Sequence, residues 1–318
     1  PIIKIDSQGQ FKGKNVVLII LESFAKEHVG FFNNGKGYTP FLDSLAKESY
    51  SFSNAYSNGN RSIEALPAIF AGIPPLMNTP YVISNYSNNK IDALPDILKT
   101  NGYNTSFYHG GSNGTMGFNG FSMIAGVSNY YGMDEYPYTD KDYDGNWGIF
   151  DEPYLQYFSN ELNNKTEPFF STIFTLSSHH PYAIPEKHKN HFNKGTLDAH
   201  ETIGYTDYAL REFFNTSRKS KWFENTIFVF TADHSSLSSN PEYSTLIGRY
   251  AIPVLIHDPS GNFKGEYDNY FQHSDITPTL LSLLGIDTEI ISFGLNFEIE
   301  DRYVVGLSGS TYYYLYDD

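Results

Sequence analysis

Glu22, Asp233 and His234 are the residues whose types and positions point most directly to chemistry. Glu22 follows the apolar run Val16-Val17-Leu18-Ile19-Ile20-Leu21, and Asp233-His234 follows Thr226-Ile227-Phe228-Val229-Phe230-Thr231-Ala232. Runs of β-branched and aromatic residues without alternation predict strands covered on both faces, as in a parallel sheet. Ligands of such sheets bind beyond the carboxyl ends of the strands. Two carboxylates and an imidazole delivered to one edge therefore predict a single divalent-metal site. Imidazole is a poor ligand for the hardest cations, so the set suits Mn2+ or Zn2+ better than Ca2+.

Three more polar side chains fall at element ends. His109 closes the run Tyr103–Tyr108, and Ser177-Ser178-His179-His180-Pro181 closes Phe169–Leu176. Ser62 stands just before a helix expected over 64–71, where free amide groups and the helix dipole favour negative charge. A serine hydroxyl there could attack a phosphate or sulfate ester, provided a base or a metal stabilises its alkoxide. Taken singly, each has an ordinary reading: Ser62 as a helix cap, Glu22 as a loop solvator, His179 as a loop histidine bonded to backbone.

The elements that must position these groups follow the chain in alternation. Strands are expected over about 15–21, 103–108, 169–176, 226–230 and 251–256. Helices are expected over about 40–49, with Thr39 as N-cap and Pro40 at the first helical position, and over 64–71, 93–99, 198–218 and 275–284. In the second helix Pro67 fits only the first turn, and Gly72 ends it. The segment 110–147 is rich in Gly, Asn, Asp, Ser and Tyr and reads as an irregular functional loop. The alternation predicts an α/β fold with a mainly parallel, helix-flanked sheet. We divide the chain into a catalytic domain over 1–289 and a small C-terminal antiparallel subdomain over 290–318.

With 40% hydrophobic and 17% aromatic residues, the 318-residue chain has material for a large core. Its formal net charge of −15 opposes polyanion binding, so nucleic acid is not an expected partner. Cysteine is absent, which rules out disulfides and thiolate metal sites and suits an extracytoplasmic location. No apolar window reaches the length of a membrane span. Because the chain begins with Pro1, a preceding segment could hold an anchor.

Six motifs in this order carry a resemblance: Leu21-Glu22-Ser23, Thr39-Pro40-Phe41-Leu42, Gly59-Asn60-Arg61-Ser62, Ser178-His179-His180-Pro181, Thr231-Ala232-Asp233-His234 and Asp275-Ile276-Thr277-Pro278-Thr279-Leu280-Leu281. Over about 15–285 the chain resembles the alkaline phosphatase and sulfatase superfamily. Within it, the likeness is to the extracellular domain of lipoteichoic acid synthases and related phosphoglycerol or phosphoethanolamine transferases. The resemblance implies a three-layer α/β/α sandwich and one catalytic metal, Mn2+ first, with Zn2+ or Mg2+ as alternatives. Glu22, Ser62, Asp233 and His234 would hold it. It further implies Ser62 as the covalent nucleophile where the synthases have threonine, with Arg61, His109 and His179 at the substrate phosphate or its leaving oxygen. The expected reaction moves a head group from a phospholipid donor to a glycan or polymer acceptor, or hydrolyses such an ester, outside the cytoplasmic membrane in a membrane-anchored parent protein. A non-catalytic domain that binds glycan or head groups is the third reading. The Trp and Arg that follow the His109-type strand in the synthases have no counterpart in Gly117-Phe118-Asn119-Gly120-Phe121. Ser62-Ile63-Glu64-Ala65-Leu66 does not fit a formylglycine motif, which argues against sulfatase chemistry. No second full cluster of Asp and His ligands is evident, which sets a two-zinc phosphatase aside.

Overall fold

The computed structural model describes residues 1–7, 9–137 and 139–316. Its strands are β1 (Ile2–Ile5), β2 (Asn15–Leu21), β3 (Tyr50–Tyr56), β4 (Asn104–His109), β5 (Asn129–Tyr131), β6 (Phe169–Phe174), β7 (Thr226–Ala232), β8 (Val254–His257), β9 (Gly265–Gln272), β10 (Thr288–Ile291), β11 (Tyr303–Ser308) and β12 (Thr311–Tyr316). The α-helices are α1 (Pro40–Ala46), α2 (Ser62–Ala71), α3 (Leu94–Thr100), α4 (Phe118–Ile124), α5 (Asp151–Leu162), α6 (Ala199–Ser217) and α7 (Ile276–Leu284).

Eight strands form the central sheet in the order β5-β4-β6-β2-β7-β8-β3-β9. Among the described strands of this sheet only β8 runs against the rest, pairing antiparallel with both β7 and β3. All the others therefore point their carboxyl ends at one edge. Every residue of β2, β6 and β7 is buried, the outcome expected of runs without alternation. Each Val, Ile, Leu or Phe in them contributes about 1.5–3 kcal/mol of burial. The helices fall into two packed sets: α1 and α5 against α6, and α3 and α7 against α2. This is the α/β architecture expected, with a mostly parallel central sheet.

Several local expectations are corrected. Helix α2 begins at Ser62, two residues earlier than its apolar pattern suggested, so Ser62 is its first residue. Pro67 is consequently an interior residue, and the helix carries the lost N–H because nine of its ten residues are buried. Gly72 closes it in the left-handed conformation, at φ 60°. The stretch 110–147 is less irregular than its composition implied, since it holds α4 and β5. Strand β9 was not anticipated: it is an edge strand whose exposed and half-buried positions mask its run, and β3 is hidden by Ser51, Ser53 and Asn54. In the last stretch β11 and β12 form the expected antiparallel hairpin, whereas β10 pairs with β1 at the other end of the chain. Arg302, just before β11, forms a buried ion pair with Asp275 at the head of α7. No helix among the described residues is long and apolar enough to cross a membrane.

Candidate active site

Strands β2 and β7 are adjacent and in register, with Leu21 opposite Ala232. The next residues, Glu22 and Asp233, therefore leave the sheet side by side. Ser23 links them: its N–H donates to Asp233 Oδ1 at 2.7 Å and its hydroxyl to Glu22 Oε1 at 2.6 Å. Ser23 reaches both only from a left-handed backbone, φ 51°, a conformation that costs a non-glycine residue roughly 1–3 kcal/mol. The turn after β6 fixes Glu22 from the other side. Thr175 Oγ1 accepts the Glu22 N–H at 3.0 Å, and the Ser178 hydroxyl donates to the Glu22 carbonyl at 2.5 Å.

Ser62 arrives on the loop between β3 and α2. Glu64, in the first turn, accepts the Asn60 N–H at 3.1 Å and so folds that loop back over the helix start. Asn58 ties the same loop to Gln272 and to the Val305 carbonyl, both at 2.7 Å. The Ser62 hydroxyl oxygen then lies 3.4 Å from Glu22 Oε2 and 3.4 Å from His234 Nε2.

The four expected ligands are thus one cluster, and their donor atoms suit a divalent cation. Ligand atoms of Glu22, Asp233 and His234 lie within 4.8 Å of one another. Asp233 Oδ2 is buried without a hydrogen-bond partner among the described residues, although His234 Nε2 is 3.2 Å away. His234 Nδ1 donates to the Ser235 carbonyl at 2.8 Å, which leaves Nε2 with the lone pair facing the carboxylates. Burial, and then the neighbouring Asp233 charge, push the Glu22 carboxyl well above its usual range. A cation would relieve that repulsion.

His179 lines the adjoining cleft together with Ser23, Asn60, His234 and Arg249. Its Nδ1 donates to the His180 carbonyl at 2.7 Å, so Nε2 is the nitrogen left for a ligand. Two groups were missed in the sequence, one against His179 and one lining the cleft. Trp147 lies edge-on to His179 with ring centroids 4.4 Å apart, its indole N–H donating to the same carbonyl at 2.7 Å. Arg249 presents a guanidinium over the Tyr250 ring and donates to the Ser308 hydroxyl at 2.6 Å. Both come from segments without periodicity, and only a lone Trp or Arg in a polar stretch could have flagged them.

Two expected substrate contacts stand apart from the cluster. Arg61 is turned onto Glu64, donating from Nε at 3.1 Å and also from its terminal nitrogen. His109 ends β4 at the same sheet edge but is fully buried, against the rings of Phe118 and Phe174. Neither of its ring nitrogens has a partner among the described residues, and burial lowers its pKa to about 4, so the imidazole is neutral. Gly111 is required beside it, because a Cβ there would fall 2.6 Å from His109 Cε1.

The family model for Sulfatase matches residues 14–286. Lipoteichoic acid synthase 2 of Bacillus subtilis is 26% identical over 304 residues, covering 88% of this chain and 46% of that protein. The lipoteichoic acid synthase of Staphylococcus aureus is 27% identical over 305 residues, with 88% and 47% covered. The chain thus spans about half the length of these relatives. Among solved structures, a protein of the alkaline phosphatase superfamily from Vibrio parahaemolyticus superposes with a TM-score of 0.87 at 28% identity, covering 98% of this chain and 77% of that one. The lipoteichoic acid synthase LtaP from Listeria monocytogenes shares the fold, with a TM-score of 0.81 at 24% identity and 93% and 78% covered.

Proposed function

Because this chain belongs to the sulfatase family, among the enzymes of the alkaline phosphatase superfamily, we propose that it transfers a phosphoglycerol or phosphoethanolamine head group from a phospholipid to a glycan or polymer acceptor through a covalent phospho-Ser62 intermediate. The observation that carries this reading is the Ser62 hydroxyl at a helix N-terminus, 3.4 Å from both a carboxylate and an imidazole of the candidate metal cluster. Glu22, Ser62, Asp233 and His234 would hold one divalent cation, Mn2+ by preference. Such an ion stabilises the serine alkoxide and the charge on the transferring oxygens.

The chain's own residues then divide the work. Ser62, its proton passed through the water of the cleft to His179 Nε2, attacks phosphorus, and the bond to the lipid oxygen breaks. His179 Nε2 gives that oxygen its proton. In the second half the acceptor hydroxyl returns a proton to His179 as it attacks phosphorus and releases Ser62. Amides at the start of α2 face the phosphoryl oxygens. We assign the cationic contact to Arg249, since the Arg61 guanidinium is engaged by Glu64. The curated relatives are lipoteichoic acid synthases, which favours phosphoglycerol as the group moved. For such a donor lipid we propose the extracytoplasmic face of the cytoplasmic membrane as the place of reaction, in a parent protein anchored there.

The test is metal analysis paired with intact-mass measurement after incubation with phosphatidylglycerol or phosphatidylethanolamine analogues. One equivalent of Mn or Zn lost on Asp233→Asn, with a mass gain on Ser62, supports the reading, and the size of the gain names the head group. Turnover of the donor with release to water only, unchanged by any glycan acceptor, would make the enzyme a hydrolase. Neither adduct nor turnover in the metal-loaded protein would overturn it in favour of a binding domain.

A further inference from the structure

A second trio of donors stands beside the loop that follows His234. Glu27 and His28 come from the short helical turn Lys26–His28, and His200 from the start of α6. Ligand atoms of the three lie within 4.8 Å of one another, and His28 Nδ1 is 3.8 Å from Glu27 Oε1. All are buried, with exposures of 8%, 0% and 1%. His28 Nδ1 and His200 Nε2 are both without hydrogen-bond partners among the described residues.

The surroundings fix these rings in a ligating pose. His28 Nε2 meets the Ser236 hydroxyl at 2.9 Å, which, when Nε2 carries the ring proton, leaves the lone pair on Nδ1, toward Glu27. The His200 ring stacks on Tyr38 with centroids 4.2 Å apart. Gly195 admits this pair, because a Cβ there would fall 1.9 Å from His200 Nδ1. Among the described residues the only bond to His200 Nδ1 is a long one, 3.3 Å, from the Leu197 N–H, and ligation through Nε2 would give it up. Burial keeps both imidazoles in the neutral form that binds metals. Glu27 accepts the N–H groups of Ser239 and Asn240 and the Ser238 hydroxyl, and a carboxylate has room for one more interaction. All three residues border an open pocket that also admits Lys36 and Asn240, so an ion has a path in.

We propose that Glu27, His28 and His200 form a second divalent-metal site, selective for a borderline cation such as Zn2+, that clamps the loop carrying Ser235 to Asn240 against the body of the protein. Two imidazoles and one carboxylate are a recurrent zinc donor set. Metal–nitrogen distances of about 2.0–2.1 Å put ligand atoms about 3.3 Å apart, so the trio, within 4.8 Å, needs to draw in by up to about 1.5 Å. The site is distinct from the Glu22–Asp233–His234 cluster, yet it shares a loop with it: Ser235, Ser236 and Leu237 line the cleft beside His234. The sequence concealed this trio because His200 lies far along the chain from Glu27 and His28.

Metal-free protein reloaded with Zn2+, desalted and analysed for metal should hold two equivalents. His200→Asn and Glu27→Gln should each hold one, Asp233→Asn one, and the Asp233→Asn/His200→Asn double variant none. In the Asp233→Asn background Co2+ should give visible absorption of a near-tetrahedral site, and His200→Asn should weaken that binding by about 100-fold or more. A single equivalent in the parent, removed by Asp233→Asn and untouched by His200→Asn and Glu27→Gln, would overturn the proposal. If those two variants fail to fold, the Asp233→Asn protein decides alone, one tightly held equivalent for the site and none against it. A lone equivalent that survives Asp233→Asn but not His200→Asn would sink the catalytic cluster and keep this one.

Discussion

Replacing Glu22 by glutamine should stabilise the metal-free protein while crippling its catalytic metal site. Glu22 is 1% exposed and its neighbour Asp233 is fully buried, so two carboxylates share one dry corner. Burial first and the Asp233 charge second raise the Glu22 pKa well above 4.5. The folded protein therefore keeps a proton that the unfolded chain releases once pH passes its ordinary value. Stability accordingly falls as pH rises from there, by up to about 1.4 kcal/mol per pH unit, until the folded pKa is passed. Glu22→Gln abolishes that slope. Its amide oxygen can still accept from Ser23, and its amide N–H can reach Asp233 Oδ2, which now lacks a partner. Removing the cost of holding that proton in the folded state at neutral pH is worth about 1–3 kcal/mol. For a chain of 318 residues, unfolding entropy near Tm is about 0.7 kcal/mol per degree, so Tm should rise by about 1.5–4.5 °C at neutral pH. Metal reverses the order, because ligand at 100 times Kd adds about 2.7 kcal/mol to the parent through a site the variant has lost. Thermal melts at pH 5 to 8 in chelator and in excess Mn2+ measure both effects. A metal-free variant that melts below its parent, or a parent whose stability rises with pH across this range in step with the variant, would refute the reasoning.

Three further outcomes follow from the same geometry. Ser62→Ala should cut turnover by at least about 10³-fold and abolish the mass adduct, while leaving the metal held more weakly by the remaining three ligands; equal activity to the parent would remove Ser62 from its role. His179→Ala should lower kcat by about 10²–10⁴-fold with metal content unchanged, and a small leaving group that needs no proton should restore much of the first half-reaction. Arg302→Met should destabilise by about 3–5 kcal/mol in chemical denaturation, because it strands the buried Asp275. That carboxyl is pushed up to about 6 by burial even with Arg302 beside it, so the variant's stability should decline further as pH rises from 4 to 7.

What the sequence determined by itself was local. The unbroken apolar runs ending at Glu22 and at Asp233-His234 suit strands buried on both faces, as in a parallel sheet, and such a sheet puts its ligands at one edge. Gly72 and Gly285 marked helix ends, both adopting the left-handed conformation that ends a helix without a Cβ penalty. The tertiary structure decided which tips meet. Strand order sets β2 next to β7, so residues 210 apart in sequence come within hydrogen-bonding distance, and the β3–α2 loop lays Ser62 over them. It turned Arg61 away onto Glu64, sank His109 between two Phe rings, set Trp147 against His179, and brought Arg249 into the cleft, the last two from stretches with no periodicity. Hydrophobic period reports how a segment is buried, since burial depends on neighbours a few residues away. Convergence of polar side chains depends on which distant segments pair, and that is set by packing of the whole core.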